Sequence, residues 1–423
     1  MINKKSLRLI PIFAGLLAGA FILPSFINKS EYHNTGVQLQ KEVETVTQQQ
    51  VAHIDTPHAV KAIYVSQCGA TSAKLRSYIE NLIEETELNA IIIDVKDYSG
   101  TLSFTPENQD LAIGGGKGCK VRDMKEWLEH LHDLNIYLIG RITVFQDPLY
   151  TKKYPERAVQ SKSAVMAGNI PAPWVDRHGL AFVDVGAREF WKYIVAIGEE
   201  SHNIGFDELN FDYVRYPSDG NMRDVYYVHS GDENGVVASR QEELEKFFRY
   251  LTTRLRGGSE GALSKHIPVL SADLFGMTTT NTDDLTIGQI QERAEPYFDY
   301  IAPMVYPSHY PSWFIGLDNP NEHVYEVVNY SMKKAAERMQ ATTTPNMSFK
   351  HDDRVGTSTP AIYNKPASSP LKLRPWLQDF DYGGDYDATK VRAQIQATYD
   401  AGLNSWMLWN PANRYTREAL LSK

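Results

Sequence analysis

Residues Gly205–Pro217 read GFDELNFDYVRYP. Glu208, Asn210 and Asp212 alternate with Asp207, Leu209 and Phe211, the two-residue period of a β-strand. An ordinary buried strand carries aliphatic residues where Asn210 and Asp212 stand, because an unpaired buried charge is costly or shifts its pKa. This one ends in a carboxylate and runs at once into Tyr213, Arg215 and Tyr216. The economical reading is a strand whose C-terminal end opens into a polar pocket, with Asp212 as a catalytic carboxylate there.

On either side of this stretch a strand–helix beat repeats from Lys61 to the C-terminus. Strands are expected at Ala62–Ser66, Ala90–Lys96, Ile136–Ile142, Phe206–Asp212, Ile267–Asp273, Tyr300–Tyr306, Leu373–Phe380 and Ser405–Asn410. Helical stretches fall near 72–86, 121–134, 187–202, 240–256, 287–297, 322–340 and 388–401. Eight strands alternating with helices predict a closed parallel (β/α)8 TIM barrel over residues 61–423. A dinucleotide-binding sheet is disfavoured, since no GxGxxG turn follows the first strand. The connections after strands two, three and six are long and leave strand C-terminal ends, where barrels of this kind build sites. A Thr-, Ser- and Pro-rich stretch from Thr342 to Pro370 is expected to form a mobile loop or lid.

The first 30 residues read as an export segment. Lys4, Lys5 and Arg8 precede a mainly apolar run from Leu9 to Ile27, long enough to cross a bilayer with the basic end inside. The alternatives are an uncleaved membrane anchor and a signal peptide cut near Ala18-Gly19-Ala20. The anchor is the preferred one, because the apolar run continues past that site. Both place the rest of the chain outside the cytoplasm, secreted or held at the cell membrane. Residues 31–60 are polar and read as a linker.

The net charge of −9 argues against nucleic acid or anionic lipid as main partners. With 24 Tyr, 16 Phe and 7 Trp, the chain has rings enough for a sugar cleft, although ordinary cores use them as well. Cys68 and Cys119 are too few for a Cys-built zinc site and can form one disulfide in an oxidising compartment. No HExxH or other spaced ligand set is present. His351, Asp352 and Asp353 have a metal-like composition but read as solvated loop. No metal or organic cofactor is expected.

In a parallel barrel all strands finish at one rim, so the polar residues at those ends form the candidate site. They are Asp94, Lys96 and Asp97 from the second strand, Arg141 from the third, and Asn210, Asp212 and Arg215 from the fourth. Asp273 comes from the fifth, Tyr306 and His309 from the sixth, Gln378, Asp379 and Asp381 from the seventh, and Trp409 and Asn410 from the eighth. Stability alone does not require polarity concentrated at one end of nearly every strand.

On the alternation, Asp212 and Asp273 both face inward. Neighbouring strands lie about 4.8 Å apart, so at matching heights the two carboxyls would be roughly 5–6 Å apart, near the retaining-glycosidase separation. Asp212 would attack or stabilise the sugar, with a salt bridge to Arg141 or Arg215 as its bland alternative. Asp273 would protonate the leaving oxygen, with a turn cap as its alternative. Asp94 and Lys96 suit an ion pair at the barrel mouth, or direct substrate contact. Arg141 and Arg215 suit orienting carboxylates, Tyr306, Trp376 and Trp409 suit sugar stacking or packing, and His309 suits a polar loop.

KAIYVSQCGA at 61–70, AIIIDVKDYSG at 90–100, GFDELNFDYVRYP, SADLFG at 271–276, DYIAPMVYPSHY at 299–310, LRPWLQDF at 373–380 and WMLWNP at 406–411 together resemble DUF4015. That family of unknown function is placed in the glycosidase barrel superfamily. The resemblance covers the chain from about Lys61 onward and implies a (β/α)8 barrel and polysaccharide hydrolysis. A weaker likeness to the chitinase strand DGxDxDxE sets Asp207, Asn210 and Asp212 on its aspartates. Val214 falls where that pattern needs its glutamate, which disfavours substrate-assisted chemistry on N-acetyl sugars.

The leading expectation is an exported glycosidase of the retaining type acting on an extracellular or cell-envelope polysaccharide. The alternative is a degenerate barrel that binds glycan without cleaving it. A metal-dependent deacetylase is a third reading, without a visible ligand set.

Overall fold

The computed structural model describes residues 51–113, 118–257, 267–344 and 362–423. Eight parallel strands close into a barrel: β1 (Lys61–Val65), β2 (Ala90–Lys96), β3 (Tyr137–Thr143), β4 (Glu208–Asp212), β5 (Val269–Phe275), β6 (Tyr300–Met304), β7 (Trp376–Gln378) and β8 (Trp406–Trp409). Pairing of β1 with β8, Ala62 opposite Met407, completes the ring. The fold class expected for 61–423 is therefore correct. The apolar segment 1–30 lies outside the described residues, and among the described residues no helix is long and apolar enough to cross a membrane.

Two-residue alternation sorts the strand side chains into two cores. Ala62, Tyr64, Ala90, Ile92, Tyr137, Ile139, Ala302, Trp376 and Met407 fill the barrel interior. Their neighbours Ile63, Ile91, Leu138, Leu209 and Leu408 face the surrounding helices. The helices are α1 (Ala73–Glu85), α2 (Met124–Asp133), α3 (Arg188–Ile204), α4 (Arg240–Gly257), α5 (Val324–Gln340) and α6 (Ala388–Asp400), with shorter turns between. Ser72 caps α1 by accepting from the Leu75 amide at 3.3 Å, and Asp387 caps α6 by accepting from Lys390 at 2.9 Å. Gly205, at φ 127°, stops α3 and turns the chain toward β4.

Two elements are shorter than the sequence predicts. β7 spans three residues rather than the expected Leu373–Phe380, because Pro375 has no amide to give the ladder. Between β5 and β6 only Gln291–Ala294 is α-helical. The Thr342–Pro370 stretch, expected to form a mobile loop or lid, lies mostly outside the described residues. Residues 342–344 and 362–370 connect the end of α5 to the start of β7, on the side opposite the strand C-terminal ends. There Lys365 Nζ pairs with Glu295 Oε1 at 3.0 Å. Residues 345–361, including His351, Asp352 and Asp353, lie outside the described residues.

The barrel base is closed by charge as well as by apolar side chains. Arg374 reaches both oxygens of Glu208 at 2.9 Å, and Tyr137 donates to the same carboxylate at 3.0 Å. Residues 51–60, within the stretch read as linker, lie against this base. The Ile54 amide donates to Asp207 Oδ1 at 3.0 Å, and Thr56 Oγ1 lies 2.9 Å from the Tyr137 hydroxyl.

Asp207 also accepts from the Leu138 amide at 2.9 Å and meets His132 Nε2 at 3.0 Å and His53 Nδ1 at 3.3 Å. Burial favours its neutral form, but the hydrogen bonds from His132 and His53 outweigh it and hold the carboxyl below its ordinary value. A depressed folded pKa gives stability that is present above the unfolded value, about 3.9, and is lost as pH falls through the folded one. Asp207→Ala is thus expected to cost about 3 kcal/mol in urea unfolding at pH 7. The gap to wild type should narrow below about pH 4. A gap independent of pH would contradict this role.

Candidate active site

At the C-terminal rim the strands deliver three carboxyls to one guanidinium. Arg141, on β3, donates through Nη1 to Asp94 Oδ1 at 2.7 Å and through Nη2 to Asp212 Oδ2, and its Nε lies 3.9 Å from Asp273 Oδ2. Register explains the convergence. Asp94 lies opposite Arg141, Arg141 opposite Asn210, and Asn210 opposite Ser271. These side chains therefore point into the barrel in adjoining layers. Burial opposes charge on Arg141, but Asp212 and Asp94 outweigh it and hold the guanidinium protonated.

The carboxyls are not equivalent. Asp273 is 1% exposed. Its Oδ1 accepts from Asn210 Nδ2 at 2.9 Å and from Trp376 Nε1 at 2.8 Å, while Oδ2 faces Arg141. Burial first, and then the charge of Asp212, push Asp273 well above the usual carboxylate range. Asp212 is 4% exposed; besides Arg141 it accepts at Oδ1 from the Tyr213 amide at 2.5 Å. Asp94 is raised too, by burial, with Arg141 and the Tyr64 hydroxyl opposing the shift.

Tyr213 has φ 51°, a left-handed conformation that a residue of this size adopts at a cost of order 1–3 kcal/mol. Beyond Asp212 that bend places Tyr213 on the wall of a cavity of about 580 Å³, shared with Gln146, Phe182 and Arg215. The remaining open aromatic at the centre is Trp409. It stacks on Tyr64 with ring centroids 3.9 Å apart and holds the Arg141 guanidinium 4.9 Å from its ring.

The central cluster thus contains Asp94, Arg141, Asn210, Asp212 and Asp273, with Trp409 against it. The expected ion pair between Asp94 and Lys96 does not form. Lys96 instead pairs with Asp147 Oδ2 at 2.9 Å and donates to the Thr143 carbonyl at 2.7 Å, with no exposed side-chain surface. Successive residues of a strand alternate, but a register shift between Asp94 and Lys96 separates these two. The salt-bridge alternative for Asp212 is realised with Arg141, not Arg215. Of the stacking and packing roles left open for Trp376, burial favours packing: it is 1% exposed and donates to Asp273.

Other rim residues tie loops together. Gln378 accepts from Ser308 Oγ at 2.8 Å and donates to the Phe380 carbonyl at 3.0 Å. Asp379 accepts from Thr416 Oγ1 at 2.6 Å, and burial pushes its carboxyl up to about 6. Asn410 donates to the Asp379 carbonyl and, at 2.6 Å, to that of Arg414. Tyr306 is buried beside the exposed His309, ring centroids 5.3 Å apart. Asp207, aligned above with the first chitinase aspartate, sits at the opposite end of β4.

Tyr64 and Gln146 were not singled out in the sequence. Tyr64 could have been found, because it shares the inward set of β1 with Ala62. Gln146 lies in the loop beyond β3, where no periodicity applies.

Cys68 and Cys119 form a disulfide that ties the loops after β1 and β2, with Cα atoms 4.9 Å apart. Among the described residues no group of three or more His, Cys, Asp or Glu side chains is arranged to hold a metal ion.

No curated protein matches the chain. Among solved structures, the PgaB (BpsB) glycoside hydrolase domain from Bordetella bronchiseptica superposes with a TM-score of 0.55 at 11% identity, over 86% of this chain and 99% of that one. The alpha-L-fucosidase isoenzyme 2 from Paenibacillus thiaminolyticus gives a TM-score of 0.52 at 10% identity, over 85% of this chain and 48% of that one. This chain therefore spans about half the fucosidase's length, and at these identities both likenesses concern the fold alone. A hypothetical protein from Ruminiclostridium thermocellum ATCC 27405 is 28% identical over 50% of this chain and 96% of its own, with a TM-score of 0.40. The family model of DUF4015, described as "Putative glycosyl hydrolase domain", matches residues 62–415, and the chain belongs to that family.

Proposed function

We propose that this protein is a glycoside hydrolase that cleaves O-glycosidic bonds of an extracellular or cell-envelope polysaccharide. Asp273 is the general acid and Asp212 the nucleophile or charge stabiliser. The observation carrying this reading is one guanidinium, Arg141, shared by Asp94, Asp212 and Asp273, with burial and the charge of Asp212 pushing Asp273 well above the usual carboxylate range. Glycosidic cleavage needs such an asymmetric pair, one proton donor and one carboxylate.

In the first step Asp273 gives its proton to the glycosidic oxygen as the bond from that oxygen to the anomeric carbon breaks. Asp212 then bonds to that carbon or stabilises its positive charge. In the second step Asp273, now a carboxylate, takes a proton from water as the water oxygen attacks the same carbon from the vacated side and any bond between Asp212 and that carbon breaks. Both residues return to their starting states. The retaining arrangement needs two carboxyls about 5–5.5 Å apart, and Asp212 and Asp273 both approach one guanidinium. Arg141 fixes the approach of Asp212, and Trp409 offers a ring face to the sugar.

The basic-then-apolar segment at residues 1–30 supports action outside the cytoplasm, by anchoring or secretion. A second reading, glycan binding without cleavage, is favoured by the burial of Asp212 and its tie to Arg141. Release of reducing ends from a polysaccharide panel separates the two. Wild type is expected to cleave at least one member, and Asp212→Asn to lose nearly all of that activity. Binding of a glycan with no release of ends would favour the second reading. Equal cleavage by wild type and Asp212→Asn would remove Asp212 from the chemistry.

A further inference from the structure

The cavity lined by Tyr213, the residue that follows Asp212, has features that the proton-transfer chemistry does not use. Tyr213, bent into left-handed backbone directly after Asp212, and Phe182 supply aromatic surface to its wall. Arg215 lies on the same wall, its guanidinium carbon 4.8 Å from the Tyr213 ring centre. Its hydrogen bonds go to the Tyr216 carbonyl at 3.1 Å and to Ser218 Oγ at 3.3 Å, both through Nη1. No carboxylate pairs with it among the described residues.

The cavity's own carboxylates are already engaged. Asp176 accepts from the His178 and Leu180 amides at 2.8 and 2.9 Å and from Gln146 Nε2 at 3.0 Å. Asp219 pairs with Arg177 at 2.8 Å.

Gln146 supplies an independent observation. The Asp176 carboxylate accepts hydrogen bonds, so the Gln146 amide must turn its Nε2 toward it. That leaves Gln146 Oε1 as a buried acceptor with no hydrogen-bond partner, on a residue 4% exposed that lines the cavity. A buried acceptor left without a donor costs free energy, and such atoms call for an explanation. A donor supplied by a ligand provides one.

We infer that this cavity is a sugar subsite next to the scissile bond that takes a pyranose bearing a carboxylate, a uronic acid unit of the glycan. The pyranose face packs on Tyr213, a ring hydroxyl donates to Gln146 Oε1, and the carboxylate meets the free fork of Arg215. A guanidinium suits that carboxylate because its planar fork can bind both oxygens at once. At about 580 Å³ the cavity falls within the 300–1,000 Å³ span of ligand sites. The inference rests on the glycosidase reading for its orientation toward Asp212, but binding can be measured without turnover.

The test uses the full chain and trisaccharides of glucuronic, galacturonic and mannuronic acid, each beside its carboxyl-reduced counterpart, in titration calorimetry. Wild type is expected to bind at least one acidic trisaccharide about 10- to 100-fold more tightly than its reduced form. Arg215→Gln should abolish that preference with an unchanged Tm, and Arg215→Lys should restore it only in part. Gln146→Leu should weaken acidic and reduced forms alike. Equal binding of acidic and reduced forms to wild type, retention of the preference in Arg215→Gln, or no binding of any trisaccharide at millimolar concentration would each overturn the subsite. Acidic preference without cleavage would leave the subsite standing and remove the proposed hydrolysis. Cleavage of a neutral glycan without acidic preference would do the reverse.

Discussion

Asp273→Asn is expected to lower kcat about 10²- to 10⁴-fold, the usual range for loss of a general acid, with KM little changed. The amide keeps an acceptor for Asn210 and Trp376 but has no proton to give a leaving oxygen. An aryl glycoside with an acidic phenol as leaving group needs less protonation. Its hydrolysis should fall less, and that difference identifies an acid rather than a structural residue. The pH profile carries a second signature. Burial and Asp212 raise the Asp273 pKa, so the active, protonated form is lost as pH rises through that elevated value. Wild-type activity should therefore decline on the alkaline side through Asp273, and the substituted protein should lack that limb.

The same residue has a cost in stability. The unfolded chain ionises Asp273 at an ordinary carboxylate pH, and the folded chain resists. The folded state thus binds more protons, and stability falls as pH rises between the two values. Asp273→Asn removes this term, so its Tm relative to wild type should improve from pH 4 to pH 8. Gain in stability with loss of rate is the pattern of a strained functional site.

Arg374→Met is expected to destabilise the protein by about 3–5 kcal/mol in urea unfolding, because it strands the Glu208 carboxylate in the barrel interior. Arg374 and Glu208 are 1% and 0% exposed, and among the described residues Tyr137 alone would remain to donate to the carboxylate. The double substitution Arg374→Met with Glu208→Leu should recover most of the loss, since replacing both partners removes the unpaired charge. A single-variant loss below about 1 kcal/mol, the scale of an exposed pair, would contradict the placement of this pair at the dry base.

The repeating architecture could be read from the chain because alternation survives in AIIIDVK and ELNFD. Strand β2 falls at the expected Ala90–Lys96, and α1, α4 and α6 end within one residue of the expected bounds. The convergence of Asp212 and Asp273 was legible for the same reason, since each follows an inward polar residue, Asn210 or Ser271, by two positions. Partners were not legible. Lys96 finds Asp147 in a loop 51 residues away, and nothing local in DVKDYSG distinguishes that pairing from one with Asp94. Nothing local to Trp376 decides between sugar stacking and packing until its indole is seen donating to Asp273. Gln146 and Phe182 lie in the long connection after β3, whose course is set by tertiary contacts such as the pairing of Gln160–Ser161 with Val225–Tyr226. The Thr342–Pro370 stretch looks like a lid by composition, but connectivity places its described flanks at the other end of the barrel.

Acid catalysis at this rim requires Asp273 to stay protonated beside the Arg141–Asp212 pair. Carboxyl carbon NMR of the full chain labelled at aspartate, recorded from pH 3 to pH 9 with Asp273→Asn to assign the resonance, tests this directly. The predicted result is an Asp273 signal that keeps its protonated shift at pH 7 and moves only at higher pH. A signal that titrates in the ordinary carboxylate range, near pH 4, would contradict it.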